Sequence, residues 1–366
     1  MQRSRNLLAS ALVLAAACAG PAPRPGDDRF LVSQRLEEQA SGVTALLQAV
    51  SVVDTSVAWI SGHQATVLRT TDGGRSWQRR PVSGAPDSLQ FRDVHAFDHR
   101  NALLLAAGPG DMSRIYRTED GGTTWRLQWT NPEPAGFYDC FDFWDRDRGL
   151  VYGDAVNGEL RILVTDDGGR TWRFVRAEAL PAALPGEGGF AASGLCVDAR
   201  EGGRAWIAAG NAARARVLAT YDYGRSWSAT DVPVVAGSGA GLTAISMSTD
   251  LRGVAFGGDL AVTDRTTDNV TATSDGGRTW TLLPHVSFPG AIYGGLHLHG
   301  GDAHIAAVGP GGFAVSPADG RQWTTIDSRP WWGIGSAPGA TWIAGPEGRI
   351  ARVRTAPDER EATSGS

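Results

Sequence analysis

Lysine is missing from the 366 residues, and all 34 basic side chains are arginine. High-GC codon usage is the plainer explanation, but the absence still excludes Schiff-base catalysis and a phosphate-loop lysine. Cysteine is scarce, with 3 in the chain, so a small disulfide framework is excluded. A net charge of only −5 excludes the strongly basic face of a nucleic-acid binder. No apolar run is long enough to stay in a bilayer as a helix. There is no Ser-His-Asp signature, phosphate loop or dinucleotide fingerprint.

Glycine (48) and tryptophan (13) are what the chain has in abundance. Glycine without a collagen period points to many tight turns, and repeated tryptophan points to a repeated packing position. One phrase carries both: Thr70-Thr71-Asp72-Gly73-Gly74-Arg75-Ser76-Trp77. It returns at Thr118–Trp125, Thr165–Trp172 and Thr273–Trp280. At Thr220–Trp227 its core is Asp222-Tyr223-Gly224, and at Ser316–Trp323 the aspartate is displaced to Asp319. Asp-Gly favours a hairpin because glycine accepts positive φ, and the carboxylate can accept N–H bonds from the turn after it. Asp72, Asp120, Asp167, Asp222 and Asp275 are therefore read as structural. Trp77, Trp125, Trp172, Trp227, Trp280 and Trp323 are read as rings buried at the start of the next strand.

The phrase resembles the Asp-box, or bacterial neuraminidase repeat, S/T-x-D-x-G-x-T/S-W. That resemblance implies a β-propeller in which each box joins the two outer strands of a blade, away from the central channel. A second repeat precedes most boxes, at Leu47–Asp54, Phe91–Asp98, Phe137–Asp145, Phe190–Asp198, Gly241–Asp250 and Tyr293–Gly300. Each instance is followed by an apolar run ending near glycine, as expected of an inner strand and its neighbour. A seventh inner strand falls at Trp332–Gly335 with no box after it, and Phe30–Gln39 is free to complete that blade. The fold class expected is all-β: a seven-bladed propeller over residues 30–354, closed by an N-terminal strand, with six or eight blades as the neighbouring counts. The tail 355–366 is polar.

Residues 1–18 have the pattern of an export signal: Arg3 and Arg5, the apolar stretch Leu7–Ala17, then Leu14-Ala15-Ala16-Ala17-Cys18. The last five resemble a lipoprotein lipobox, with Ala15 where leucine is more usual. That resemblance implies lipidation of Cys18 and a Pro-rich tether at 19–29. Cleavage after Ala17 or Gly20, releasing a soluble secreted protein, is the alternative. Cys140 and Cys196 lie in apolar strand-like runs. Free buried thiols are the expectation, with a bridge between neighbouring blades as the alternative.

Ligands of propellers usually meet the ends of inner strands. Aligning those strands gives a candidate rim of Gln48, Arg92, Asp93, Tyr138, Asp139, Glu187, Ser193, Asp259 and Tyr293, with Trp331 and Trp332 as aromatic anchors. His297, His299 and His304 are a weak candidate for a metal, the plainer reading being polar residues on partly exposed strands. No catalytic residue and no cofactor is assigned. A sialidase would show an early Arg-Ile-Pro motif, and this chain lacks it.

The whole pattern resembles the photosystem II stability and assembly factor family, whose plant and cyanobacterial members bind assembling membrane proteins without catalysing a reaction. The resemblance implies a monomeric, non-enzymatic scaffold for a protein partner, with no nucleic acid involved. It does not imply photosynthesis, since relatives of the family occur in bacteria that have no photosystem. The alternative is a glycan-active protein, either a sialidase-like hydrolase or a lectin.

Overall fold

The computed structural model describes residues 34–298 and 304–355. Cys18, the tether, His299 and the polar tail lie outside the described residues. Seven antiparallel four-stranded sheets are arranged as propeller blades. The first comprises Leu47–Val52, Ala58–Gly62, Val67–Thr70 and Gln78–Arg79, from channel to periphery. In the seventh, Gly333–Ala337, Ala340–Ala344 and Ile350–Thr355 are joined on the outside by Gln34–Gln39, which pairs Gln34 with Thr355 and Gln39 with Ile350. One sheet thus holds strands from both halves of the sequence, and the ring has no open seam.

Each box lies between the third and fourth strands of its blade. In the first, Asp72 Oδ1 accepts the Ser76 N–H (3.0 Å) and the Thr70 hydroxyl (2.8 Å), and Oδ2 accepts the Ser76 hydroxyl (2.6 Å). Thr70 Oγ1 accepts the Gly74 N–H at 2.9 Å. Asp120, Asp167, Asp222 and Asp275 repeat this knot. Gly73 and Gly74 sit at φ +76° and +85°, where a side chain would be strained. In the fourth blade Tyr223 holds φ +62°, and its ring packs edge-on to Trp144 at 5.6 Å beneath the Arg148 guanidinium. Those ring contacts offset the backbone strain that glycine avoids elsewhere. In the sixth blade the knot is gone, and Asp319 only caps the Arg321 N–H.

Box tryptophans pack onto the preceding blade. Trp125 meets Trp59 edge-on at 6.0 Å, Trp77 meets Trp342 at 6.4 Å, and Trp323 meets Phe256 at 6.4 Å. Second-strand tryptophans tie forward: Trp59 Nε1 donates to Asp98 O (3.2 Å) and Trp206 Nε1 to Gly276 O (2.8 Å). The core is therefore a series of interfaces between blades, each sealed by large rings.

Two expectations need correction. Cys140 and Cys196 are not free thiols. They form a disulfide between the inner strands of the third and fourth blades, whose Cα atoms lie 5.8 Å apart. The fourth inner strand is Val197–Arg200, not Phe190–Asp198. The residues before it leave the sheet and cross the channel.

Candidate functional site

Seven inner strands line the channel, and its two ends differ. At the end where these strands begin, the segment Glu187–Leu195 fills the opening. Gln48 Nε2 donates to Ala192 O at 3.2 Å, and Arg92 Nη1 donates to Ala191 O at 3.3 Å. Ser193 Oγ donates to Tyr293 O (2.7 Å), and Gly189 N donates to Asp154 Oδ1 (3.0 Å). Gly194, at φ +78°, sits where a Cβ would lie 2.3 Å from Asp93 Oδ1. The root of the segment is a buried ion pair. Arg216 Nε donates to Glu187 Oε1 at 2.7 Å, its Nη2 bonds Glu187 Oε2 and Ala182 O, and the Leu184 N–H donates to Glu187 Oε2.

The candidate rim is therefore brought together, but around this plug and not around an open mouth. Gln48, Asp93, Asp139, Glu187 and Ser193 are all buried. Tyr138 is enclosed against Trp129. Trp331 is fully buried between the guanidiniums of Arg329 and Arg349, so it is not an anchor at the surface. Trp332 is half-buried, edge-on to Tyr293 at 4.8 Å. Asp259 caps a turn through the Ala261 N–H. His297 and His304 lie on neighbouring strands, and among the described residues no group of His, Cys, Asp and Glu is arranged to hold a metal.

At the other end the channel opens into a cavity of about 850 Å³. Its collar is His95, Asp142, Asp198, Ser246, His297 and Ser336, one from each of blades two to seven, and Leu195 of the plug closes it inside. Sequence reasoning missed this collar. Its signal was present: a polar residue recurs at the fourth place after Phe91, Tyr138, Leu242, Tyr293 and Trp332. Several collar residues also lace adjacent blades. Asp142 Oδ2 accepts the Ala199 N–H (2.8 Å), Asp198 Oδ2 the Met247 N–H (2.6 Å) and Ser246 Oγ the His297 N–H (3.1 Å). His95 Nδ1 lies 3.0 Å from Asp142 Oδ1.

Carboxyls in the two settings are perturbed in opposite senses. Burial pushes Asp198 up to about 7, with the Asp142 charge adding to it, and pushes Asp154 up to about 6. Burial also raises Asp93 and Asp139, the latter further through Asp154. In the boxes, the hydroxyls of Ser76, Thr124 and Thr279, followed by their N–H groups, hold Asp72, Asp120 and Asp275 at about 2. Depressed carboxyls stabilise the fold above their ordinary value near 3.8, and this is lost as pH falls toward 2. Raised carboxyls cost stability as pH climbs from 3.8 through 6 and 7. The urea midpoint should therefore peak near pH 4 and fall on both sides, and Asp198→Asn should flatten the fall between pH 4 and 7. A midpoint that keeps rising to pH 8 would refute this balance.

On the outer wall, the second and third blades form a separate groove of about 510 Å³ lined by Arg117, Arg126, Arg170 and Leu127, with Glu119 pairing Arg117 and Arg170 at 2.8 Å. Leu127 is 51% exposed, and Phe174 on the third blade is 41% exposed. Arginine is enriched at protein interfaces relative to the rest of the surface.

No protein-family model matches the chain. It is 27% identical to the photosystem II assembly protein Ycf48 of Synechococcus sp. (strain JA-2-3B'a(2-13)), over 21% of this chain and 34% of that protein, so the match spans about a third of that relative. Among solved structures it is similar to YCF48 bound to D1 peptide, at 16% identity and a TM-score of 0.59, covering 89% of this chain and 96% of that one. It is also similar to YCF48 from Cyanidioschyzon merolae, at 16% identity and a TM-score of 0.60, covering 87% and 98%. A virginiamycin B lyase from Staphylococcus aureus shares the fold at 14% identity and a TM-score of 0.57, covering 87% and 99%. By fold the chain is a seven-bladed β-propeller, similar to solved propellers of photosystem II assembly proteins.

Proposed function

We propose that the protein is an exported, non-enzymatic scaffold that binds a protein partner during assembly or stabilisation of a membrane-associated complex. The observation that carries this is the whole-length similarity to a propeller solved with a bound peptide, YCF48 with D1. Two further features support it. The boxes commit their aspartates to turns, and the channel is plugged at the end where ligands of propellers usually gather. Export is supported by the lipobox-like Leu14–Cys18 and by the inter-blade disulfide, which persists in oxidising compartments. Lipidation at Cys18 would hold the propeller at a membrane surface, where an assembling partner is found. The scaffold role does not require photosynthesis.

The contact surface proposed is the outer groove of blades two and three, with Leu127 as apolar anchor and Arg126 and Arg170 as its charged flank. The test is affinity capture from detergent-solubilised membranes with full-length protein, identifying partners by mass spectrometry. One stoichiometric membrane complex is expected, reduced at least tenfold by the exposed-residue pair Leu127→Asp and Arg126→Glu, a loss of about 1.4 kcal/mol or more. Their melting temperature should match the wild type. Recovery of no complex, alongside sialic-acid release or glycan-array binding, would replace the scaffold by the carbohydrate alternative.

A further inference from the structure

The cavity at the open end of the channel is not used by the scaffold reading, and it has a distinct chemistry. Its floor is apolar: Leu195, Val197, Ile245 and Leu296. Asp142, Asp198, Glu201 and Asp250 also line the cavity, with Arg200 as the lining guanidinium and with Asp250 paired to Arg204 at 3.4 Å. The volume, about 850 Å³, is that of a small-molecule site. Asp142 is committed on both oxygens, to His95 and Phe143 N–H through Oδ1 and to Ala199 N–H through Oδ2. Asp198 is committed on one only. Its Oδ2 accepts the Met247 N–H, and among the described residues no hydrogen bond engages Oδ1.

The guanidinium of Arg200 bonds Met247 O and acts on Asp198 as a favourable charge, but it makes no ion pair with that carboxylate. A ligand with a cation at one end and a methylene stem would engage both regions, the charge at Asp198 Oδ1 and the stem on Leu195, Ile245 and Leu296.

We propose that this cavity binds a positively charged group on an apolar stem, of the alkylammonium or lysine side-chain kind. The site stands apart from the outer groove, so its test needs no partner protein and its failure leaves the scaffold reading untouched.

The probes are hexylammonium, hexanol and hexanoate, titrated calorimetrically into the disulfide-intact protein at pH 8, where Asp198 carries its charge. An acetylated, amidated pentapeptide with lysine at its centre is the fourth probe. Saturable binding of hexylammonium, at least tenfold tighter than hexanol and with hexanoate silent, is the expected result. Asp198→Asn, which keeps an acceptor for the Met247 N–H, should weaken it at least tenfold. Glu201→Arg is a charge reversal at an exposed position that leaves the fold intact, and it should weaken binding several-fold. Tighter binding of the peptide than of the free amine would assign the ligand to a protein chain, and the reverse order would assign it to a free amine. No binding by any probe overturns the proposal, as does equal binding of hexanol or wild-type affinity in both variants.

Discussion

Reduction of the Cys140–Cys196 bridge should lower the unfolding free energy by about 4 kcal/mol, the chain-entropy value for a closed loop of this size. The two residues are 56 apart in sequence, so the bond removes much freedom from the unfolded chain. In the folded state it joins the third inner strand to the residue before the fourth, close to the Asp142–Ala199 hydrogen bond that laces the same two blades. The fourth inner strand is only four residues long, Val197–Arg200. Cys196 is fully buried and is its immediate neighbour, so the bridge is a covalent tie between two blades that no strand ladder joins. Denaturation with and without reductant, with thiol titration to confirm reduction, measures the effect. Cys140→Ala with Cys196→Ala should behave like the reduced protein. An unchanged midpoint with both thiols titrated would show that the ring holds the two blades together without the bond.

The second large effect is expected at the root of the plug. Glu187→Ala leaves the Arg216 guanidinium buried without its carboxylate, a change that costs about 3–5 kcal/mol. It also removes the acceptor of the Leu184 N–H, so residues 182–195 should become the first site of limited proteolysis. Replacing both partners, Glu187→Leu with Arg216→Met, removes the stranded charge and should recover most of the loss. Urea denaturation of the wild type, Glu187→Leu, Arg216→Met and the double variant completes the cycle. If Glu187→Ala proves as stable as the wild type, the pair contributes nothing to holding the segment in the channel.

Much of this architecture is legible in the sequence because its determinants are local. A box is knotted by side chains and N–H groups within eight residues, so the phrase at Thr70–Trp77 announces its own turn. Seven inner elements give seven blades for the same reason. What was illegible depends on residues far apart in sequence. The hydrogen bond from Gln48 to Ala192 spans 144 residues, and no local pattern distinguishes the run Phe190–Leu195 from an inner strand. Its Gly188-Gly189 and Ser193-Gly194 pairs let the backbone approach the carboxylates of Asp154, Asp139 and Asp93 closely, and these were the available hint. What Gln48, Arg92 and Ser193 face is decided by that crossing segment. The collar residues stand near the ends of the inner strands, opposite the end where the candidate rim lies.

The missing seventh box follows from the seam in the last sheet. A box joins the third and fourth strands of one blade, and in the seventh those are Ile350–Thr355 and Gln34–Gln39, which come from opposite ends of the chain. There is no turn there to knot. Topologically the molecule is a circle cut once, and the cut falls where every other intact blade places its most stereotyped loop. Joining Thr355 to Gln34 through a borrowed box and reopening the chain at an exposed turn elsewhere would leave all seven sheets paired as they are. Among the described residues, blade order is thus a property of the ring, and the position of the first residue is a choice of where to begin reading it.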